Sequence, residues 1–308
     1  MNMKSGSNHL KTYKKYLKLG GDIMEECDFD FNIAIVGLGL IGGSYAMALR
    51  ELKPRQICGI DIDERALEEA LKIGVIDKGC KSGEIILKEA DLVIIALYPQ
   101  ETIEFVKDNI NNFKKGALIT DTCGVKIGIV EKINSFLPQD LEFIGGHPIA
   151  GKETKGLQGA SKDIFKDANY IITPSVRNRE KNIQLVEKMA KAIGFKNVVS
   201  ITPEEHDRII SFTSQLPHVI AVSLMNSNVT ENNIELFTGG SFKDATRVAA
   251  INSMLWLQLF TLNSENLIYE IERFEESIKK IKKAIKSEDK HTLINIFKRA
   301  SVKKRKMI

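Results

Sequence analysis

The chain has 308 residues, 43% of them hydrophobic, enough to bury a sizeable core and long enough to favour two domains over one. Its 44 Lys and Arg nearly balance 40 Asp and Glu, so no basic field for nucleic acid is present. No apolar run approaches the roughly 20 residues of a membrane helix, and the Lys-rich start lacks the hydrophobic stretch of a signal peptide.

Cys27, Cys58, Cys80 and Cys123 are widely spaced and form no C-x-x-C pair, so neither a disulfide framework nor a metal site is expected. These features together predict a cytoplasmic protein. The basic run Lys303, Lys304, Arg305 and Lys306 reads as a solvated end.

Residues 1–31 are polar and without clean periodicity, and read as a poorly ordered extension in which Met24 offers a second possible start. From Asn32 short apolar runs alternate with helical stretches, the pattern of a mostly parallel sheet covered by helices. Strands are predicted at 33–36, 56–60, 92–97, 118–120, 142–144, 170–172 and 197–201. Helices are predicted between them at 43–52, 66–72, 102–109, 125–135 and 182–193. Thr202-Pro203-Glu204-Glu205 is a helix start, with a capping hydroxyl, proline at the first position and glutamate at the third. Everything after it has helical spacing. The expected architecture is an α/β domain over 32–202 and an all-helical domain over 203–308.

Gly37-Leu38-Gly39-Leu40-Ile41-Gly42 follows the first strand and opens a helix, the context that turns a bare G-x-G-x-x-G into a dinucleotide-binding signal of the Rossmann type. Its glycines permit a tight turn, close backbone approach to a pyrophosphate and close helix-to-strand packing. Asp61 ends the second strand about twenty residues on, where a carboxylate accepts ribose hydroxyls and repels a 2′-phosphate. With Asp63 nearby and Arg65 as the only neighbouring cation, NAD is expected rather than NADP.

Ligands of such sheets bind beyond the carboxyl ends of the strands. Four positions there stand out: Asp61, the Tyr98-Pro99 turn, the turn Asp121-Thr122-Cys123-Gly124, and Gly145-Gly146-His147-Pro148. Among them His147 alone has a side chain that takes up a proton near neutral pH, so it is the candidate base. Tyr98 and Asp121 are expected at the cofactor with Leu40 and Ile41. His206 and His291, on predicted helices, and His9 carry no feature that distinguishes them from surface residues.

The run Gly146-His147-Pro148-Ile149-Ala150-Gly151, then Leu216-Pro217-His218, then Gly240-Ser241-Phe242-Lys243-Asp244-Ala245-Thr246-Arg247 resembles the successive signatures of the prephenate and arogenate dehydrogenase family. With the nucleotide fingerprint the resemblance covers residues 32–256. It implies that His147 bonds the substrate 4-hydroxyl, that Arg247 binds the ring carboxylate, that His218 is a second active-site histidine, and that Trp256 lines the substrate pocket. Asp121 and Lys126 fall in the family's turn after the fifth strand. The chain departs from the pattern at Gly124, where the family commonly has serine, and at Gln215, where histidine is frequent.

By themselves these residues admit plainer readings: His218 a core histidine at a kink, Arg247 the ion-pair partner of Asp244, Trp256 a core residue. The implied reaction is NAD-dependent oxidative decarboxylation of prephenate to 4-hydroxyphenylpyruvate in tyrosine biosynthesis, with arogenate the alternative substrate. Activity is expected to rise with pH through a His147 pKa within about two units of 6.5. A hydroxyacid dehydrogenase of the same architecture and an NAD-binding sensor are the competing readings. The stretches 216–225 and 254–268 are apolar on more than one face, which predicts a homodimer built by the helical domain. No appended ligand-binding or chorismate mutase domain is expected.

Overall fold

The structure is a computed structural model that describes residues 29–152, 154–227 and 234–306. His9, Met24 and Cys27 lie outside the described residues. The chain divides after His206 into two compact units.

The first unit is built on eight strands: β1 (Asn32–Val36), β2 (Gln56–Ile60), β3 (Lys78–Cys80), β4 (Leu92–Ile95), β5 (Leu118–Asp121), β6 (Glu142–Ile149), β7 (Asn169–Thr173) and β8 (Asn197–Ser200). Their order is β3-β2-β1-β4-β5-β6-β7-β8, and every pairing is parallel except β6 with β7. The expected fold class, a mostly parallel sheet with helices followed by a helical region, is what the chain forms. Strand order reverses between β1 and β4, the switch point at which such sheets open a ligand crevice.

The central strands read as unbroken apolar runs because both of their faces are covered. All four residues of β4 are buried, as are those of β5. The helix Leu40–Arg50 packs Tyr45, Ala46, Ala48 and Leu49 into this core. Tyr45, Phe165, Phe195 and Tyr170 stack in sequence at 4.8 to 5.0 Å between ring centroids. The edge strand β3 escaped the pattern because it has three residues and no apolar alternation.

β6 differs most from expectation. It runs through His147 to Ile149, rather than stopping at Ile144 and turning. Residues 142–144 pair with β5, and beyond the end of β5 residues 145–149 pair with β7 instead. The glycines at 145 and 146 serve close packing within this strand. A Cβ on Gly145 would fall 2.2 Å from Thr173 Oγ1, and one on Gly146 2.2 Å from Tyr170 Oη.

In the second unit the chain is helical at 216–226, 240–246, 253–262, 264–286 and 290–305. Between Pro203–Ile210 and Leu216–Asn226 the helix continues through a π-helical turn, Ser211–Gln215. Pro217 supplies a cause, since its nitrogen has no proton to close an α-helical turn onto Thr213. Among the described residues no helix is long and apolar enough to cross a membrane.

Candidate active site

The glycine-rich turn forms an open cradle. Gly37 has φ of 84°, and a Cβ there would meet Ala96 O at 2.6 Å. On Gly42 a Cβ would fall 1.8 Å from Gly37 O, so the helix can start this close to the strand only without a side chain. Gly39 has open space before it and is the N-cap of Leu40–Arg50, with no side chain capping the helix. The helix therefore presents uncapped backbone amides and the positive end of its dipole, which suits a pyrophosphate. Leu40 and Ile41, both half-buried, form its first turn.

Asp61 stands at the end of β2 and is half-buried. Its Oδ2 accepts from Leu38 N at 2.6 Å and its Oδ1 from Asp63 N at 2.9 Å. The carboxylate thus braces the cradle. Asp63 caps the next helix, accepting from Arg65 N at 3.0 Å. Tyr98 is the N-cap residue of Pro99–Asp108, after β4.

The turn after β5 is organised from within. Asp121 and Lys126 are both completely buried and form an ion pair at 2.5 Å. Asp121 Oδ2 also accepts from Cys123 N at 2.9 Å, and Oδ1 accepts from Gly146 N at 3.0 Å. The Asp121 side chain is turned inward with both oxygens engaged. It ties the β5 turn to β6, one residue before His147. Burial pushes the Cys123 thiol up, which leaves it an inert packing group.

His147 is half-buried on the part of β6 that outruns β5. Its Nδ1 lies 2.8 Å from Nε2 of His206, with ring planes at 62°. This corrects the reading of His206 as a surface residue, because it is completely buried. A histidine in the first turn after a cap carries no mark in the sequence of what it faces. Thr202 Oγ1 accepts from Glu205 N at 3.2 Å, the cap expected from the sequence, and Thr202 O accepts from His206 N at 2.9 Å. His291 is exposed, as expected.

Both imidazoles are held neutral. Burial pushes His147 well below the ordinary histidine value, aided by the proximity of His206 and of the Lys126 ammonium. His206 is pushed down to about 3, by burial first and Lys126 second, with Asp121 opposing. The group that the sequence marks as a base is therefore in its proton-accepting form at neutral pH.

In the second unit His218, half-buried, stacks on Trp256 with centroids 3.7 Å apart and planes at 30°. Its Nδ1 lies 2.8 Å from Ser214 O in the π turn. Burial depresses its pKa, the Ser214 carbonyl opposes, and the Arg247 charge depresses it further. That coupling places the exposed guanidinium of Arg247 near the His218 and Trp256 pair. Gln215 is buried, donating to Leu259 O at 3.0 Å and accepting from Asn263 Nδ2 at 2.8 Å. It braces the π turn against the helix Ser253–Leu262. Among the described residues no cluster of metal-ligating side chains occurs.

Comparison with known proteins decides the family. Residues 45–199 match the model described as prephenate dehydrogenase, nucleotide-binding domain, and residues 202–299 match prephenate dehydrogenase, dimerization domain. The chain belongs to the prephenate dehydrogenase family. It is 32% identical to the prephenate dehydrogenase of Bacillus subtilis over 274 residues, 87% of this chain and 74% of that protein. It is 31% identical to the cyclohexadienyl dehydrogenase of Zymomonas mobilis over 87% of this chain and 92% of that protein. The crystal structure of Aquifex aeolicus prephenate dehydrogenase in complex with hydroxyphenyl propionate and NAD+ superposes with a TM-score of 0.82 at 31% identity, covering 90% of this chain and 98% of that one. In this prephenate dehydrogenase family member the nucleotide-binding match takes in Asp61 and His147 and begins just after the glycine cradle.

Proposed function

We propose that the chain is an NAD-dependent dehydrogenase that oxidatively decarboxylates prephenate to 4-hydroxyphenylpyruvate, on the route to tyrosine. The observation that carries this reading is a neutral His147 on the strand that continues past the end of β5, in the same unit as an open dinucleotide cradle. It is supported by the similarity to a relative solved with NAD+ and a hydroxyphenyl ligand.

Gly37, Gly39, Leu40, Ile41 and Gly42 hold the pyrophosphate, Asp61 the adenosine ribose, and Tyr98 and the Asp121 turn border the nicotinamide half. The bound nicotinamide supplies a hydride acceptor. His147 takes the proton of the ring hydroxyl as the carbon–oxygen bond becomes a carbonyl. The bond from the ring to its carboxylate then breaks, carbon dioxide leaves, and the electron pair enters the ring to give an aromatic phenolate, which takes back the proton held by His147 to become the phenol. The protein has to align groups more than to activate them. Arg247 grips the ring carboxylate, and His218 with Trp256 lines the substrate site. Gly124 offers the substrate only backbone.

The domain from 32 to 202 binds the cofactor, and that from 203 to 308 binds substrate and forms a homodimer. The exposure of Met254, Leu257 and Ile268, at 61%, 57% and 54%, supports the dimer, as does the family description of this region. Arogenate stands as the second substrate because a probable arogenate/prephenate dehydrogenase is among the relatives. Purified protein with NAD should reduce the cofactor when prephenate is added, and the same assay with arogenate ranks the two. Absence of turnover with both overturns the reading. Light scattering should give twice the chain mass; a single chain mass at micromolar concentration removes the dimer.

A further inference from the structure

We infer that His206 is the positioning residue of His147: its Nε2 accepts the Nδ1 proton of His147, which fixes the tautomer that leaves Nε2 of His147 as the free base. The inference rests on the reading in which His147 accepts the substrate proton.

Two ring nitrogens at 2.8 Å share one proton between them. If His206 donates, His147 must carry its own proton on Nε2, where it offers a donor and takes up nothing. If His147 donates, Nε2 keeps its lone pair, and after the substrate proton arrives the Nδ1–H bond to His206 persists, strengthened by the new charge. The second arrangement lets the base cycle without rearranging its partner.

The surroundings suit an acceptor at His206. Its backbone is fixed by the Thr202 cap, and its ring is fully buried, with the Lys126 ammonium near enough to hold it neutral against Asp121. A neutral His206 cannot present protons on both nitrogens. Residue 124 in the β5 turn is glycine and has no side chain to offer. Among the described residues, His206 is the side chain hydrogen-bonded to the His147 ring.

The test uses the full chain labelled with 15N-histidine and the variants His206→Leu and His206→Gln. Nitrogen chemical shifts should show wild-type His147 protonated on Nδ1 and bare on Nε2. In His206→Leu that preference should weaken, and kcat should fall roughly 10- to 100-fold, part of the 10²–10⁴ that a positioned base contributes. The KM values for NAD and substrate should stay within about twofold. Gln, whose amide oxygen can accept the same proton, should recover most of kcat. Wild-type His147 carrying its proton on Nε2 overturns the proposal, as does a folded His206→Leu with unchanged kcat and tautomer. Should His206→Leu fail to fold, the wild-type shifts and the Gln variant still decide. A wild type inactive on prephenate and arogenate would defeat the substrate reading while leaving the tautomer measurement standing.

Discussion

The carboxylate of Asp121 holds the backbone amide of Gly146 at 3.0 Å with one oxygen and the buried ammonium of Lys126 at 2.5 Å with the other. A completely buried ion pair thus fixes the strand residue that precedes His147. Replacing Asp121 by Asn removes this counter-charge from the buried Lys126 ammonium. Breaking a buried pair from one side costs about 3–5 kcal/mol. Asp121→Asn should therefore lower the denaturant midpoint strongly, and Lys126→Met in the same chain should recover part of the loss. An unchanged midpoint in Asp121→Asn would show that the pair contributes nothing to stability.

Asp61→Ala removes the proposed ribose acceptor and the brace on Leu38 N together. NAD affinity should fall, and the preference for NAD over NADP should narrow because the repulsive charge is gone. Comparing kcat/KM for the two cofactors checks this. If the ratio is the same in wild type and variant, Asp61 is not the ribose ligand.

Arg247→Ala should raise the KM for substrate roughly 10- to 100-fold, the factor matching about 1.5–3 kcal/mol of charged hydrogen bonding, while NAD affinity stays within a few-fold. Lysine should rescue only in part, since it lacks the two-pronged guanidinium. Steady-state kinetics with both variants decide it. A wild-type KM in Arg247→Ala would return the residue to the exposed helix end on which it sits.

The fold was legible because strands buried on both faces leave unbroken apolar runs, and because a glycine fingerprint between strand and helix has few other uses. His147 was legible as a lone titratable group among glycines near a strand end. His206 was not, since burial of a histidine in the first turn of a helix depends on what packs against that turn, fifty-nine residues away in sequence. The extension of β6 was hidden for a related reason. Gly145 and Gly146 look like a turn, yet they are small because Thr173 and Tyr170 of β7 crowd them. The inward role of Asp121 was equally invisible, because its partners are a backbone amide on another strand and a lysine that sequence alone leaves in solvent.

The pH dependence of turnover follows from the environment of His147. Its charged form is disfavoured by burial, by His206 and by Lys126, so the folded pKa lies well below the ordinary 6.5. In the proposed mechanism the neutral form is the active one. Activity attributable to this group should accordingly be level through the neutral range and drop only as the pH falls through the lowered pKa, on the acid side of a normal histidine. The same shift affects folding. Below 6.5 the unfolded chain takes up protons that the native histidines refuse, so stability falls as the pH drops from 6.5 toward the folded values, about 3 for His206. His147→Ala should lower kcat by roughly 10²–10⁴ and abolish the acid limb, while NAD binding survives on the cradle. Turnover of a folded variant with its binding of NAD verified is the measurement that counts. Should it keep the wild-type kcat and the wild-type profile, the proton goes elsewhere, and with it the role of the strand that carries His147.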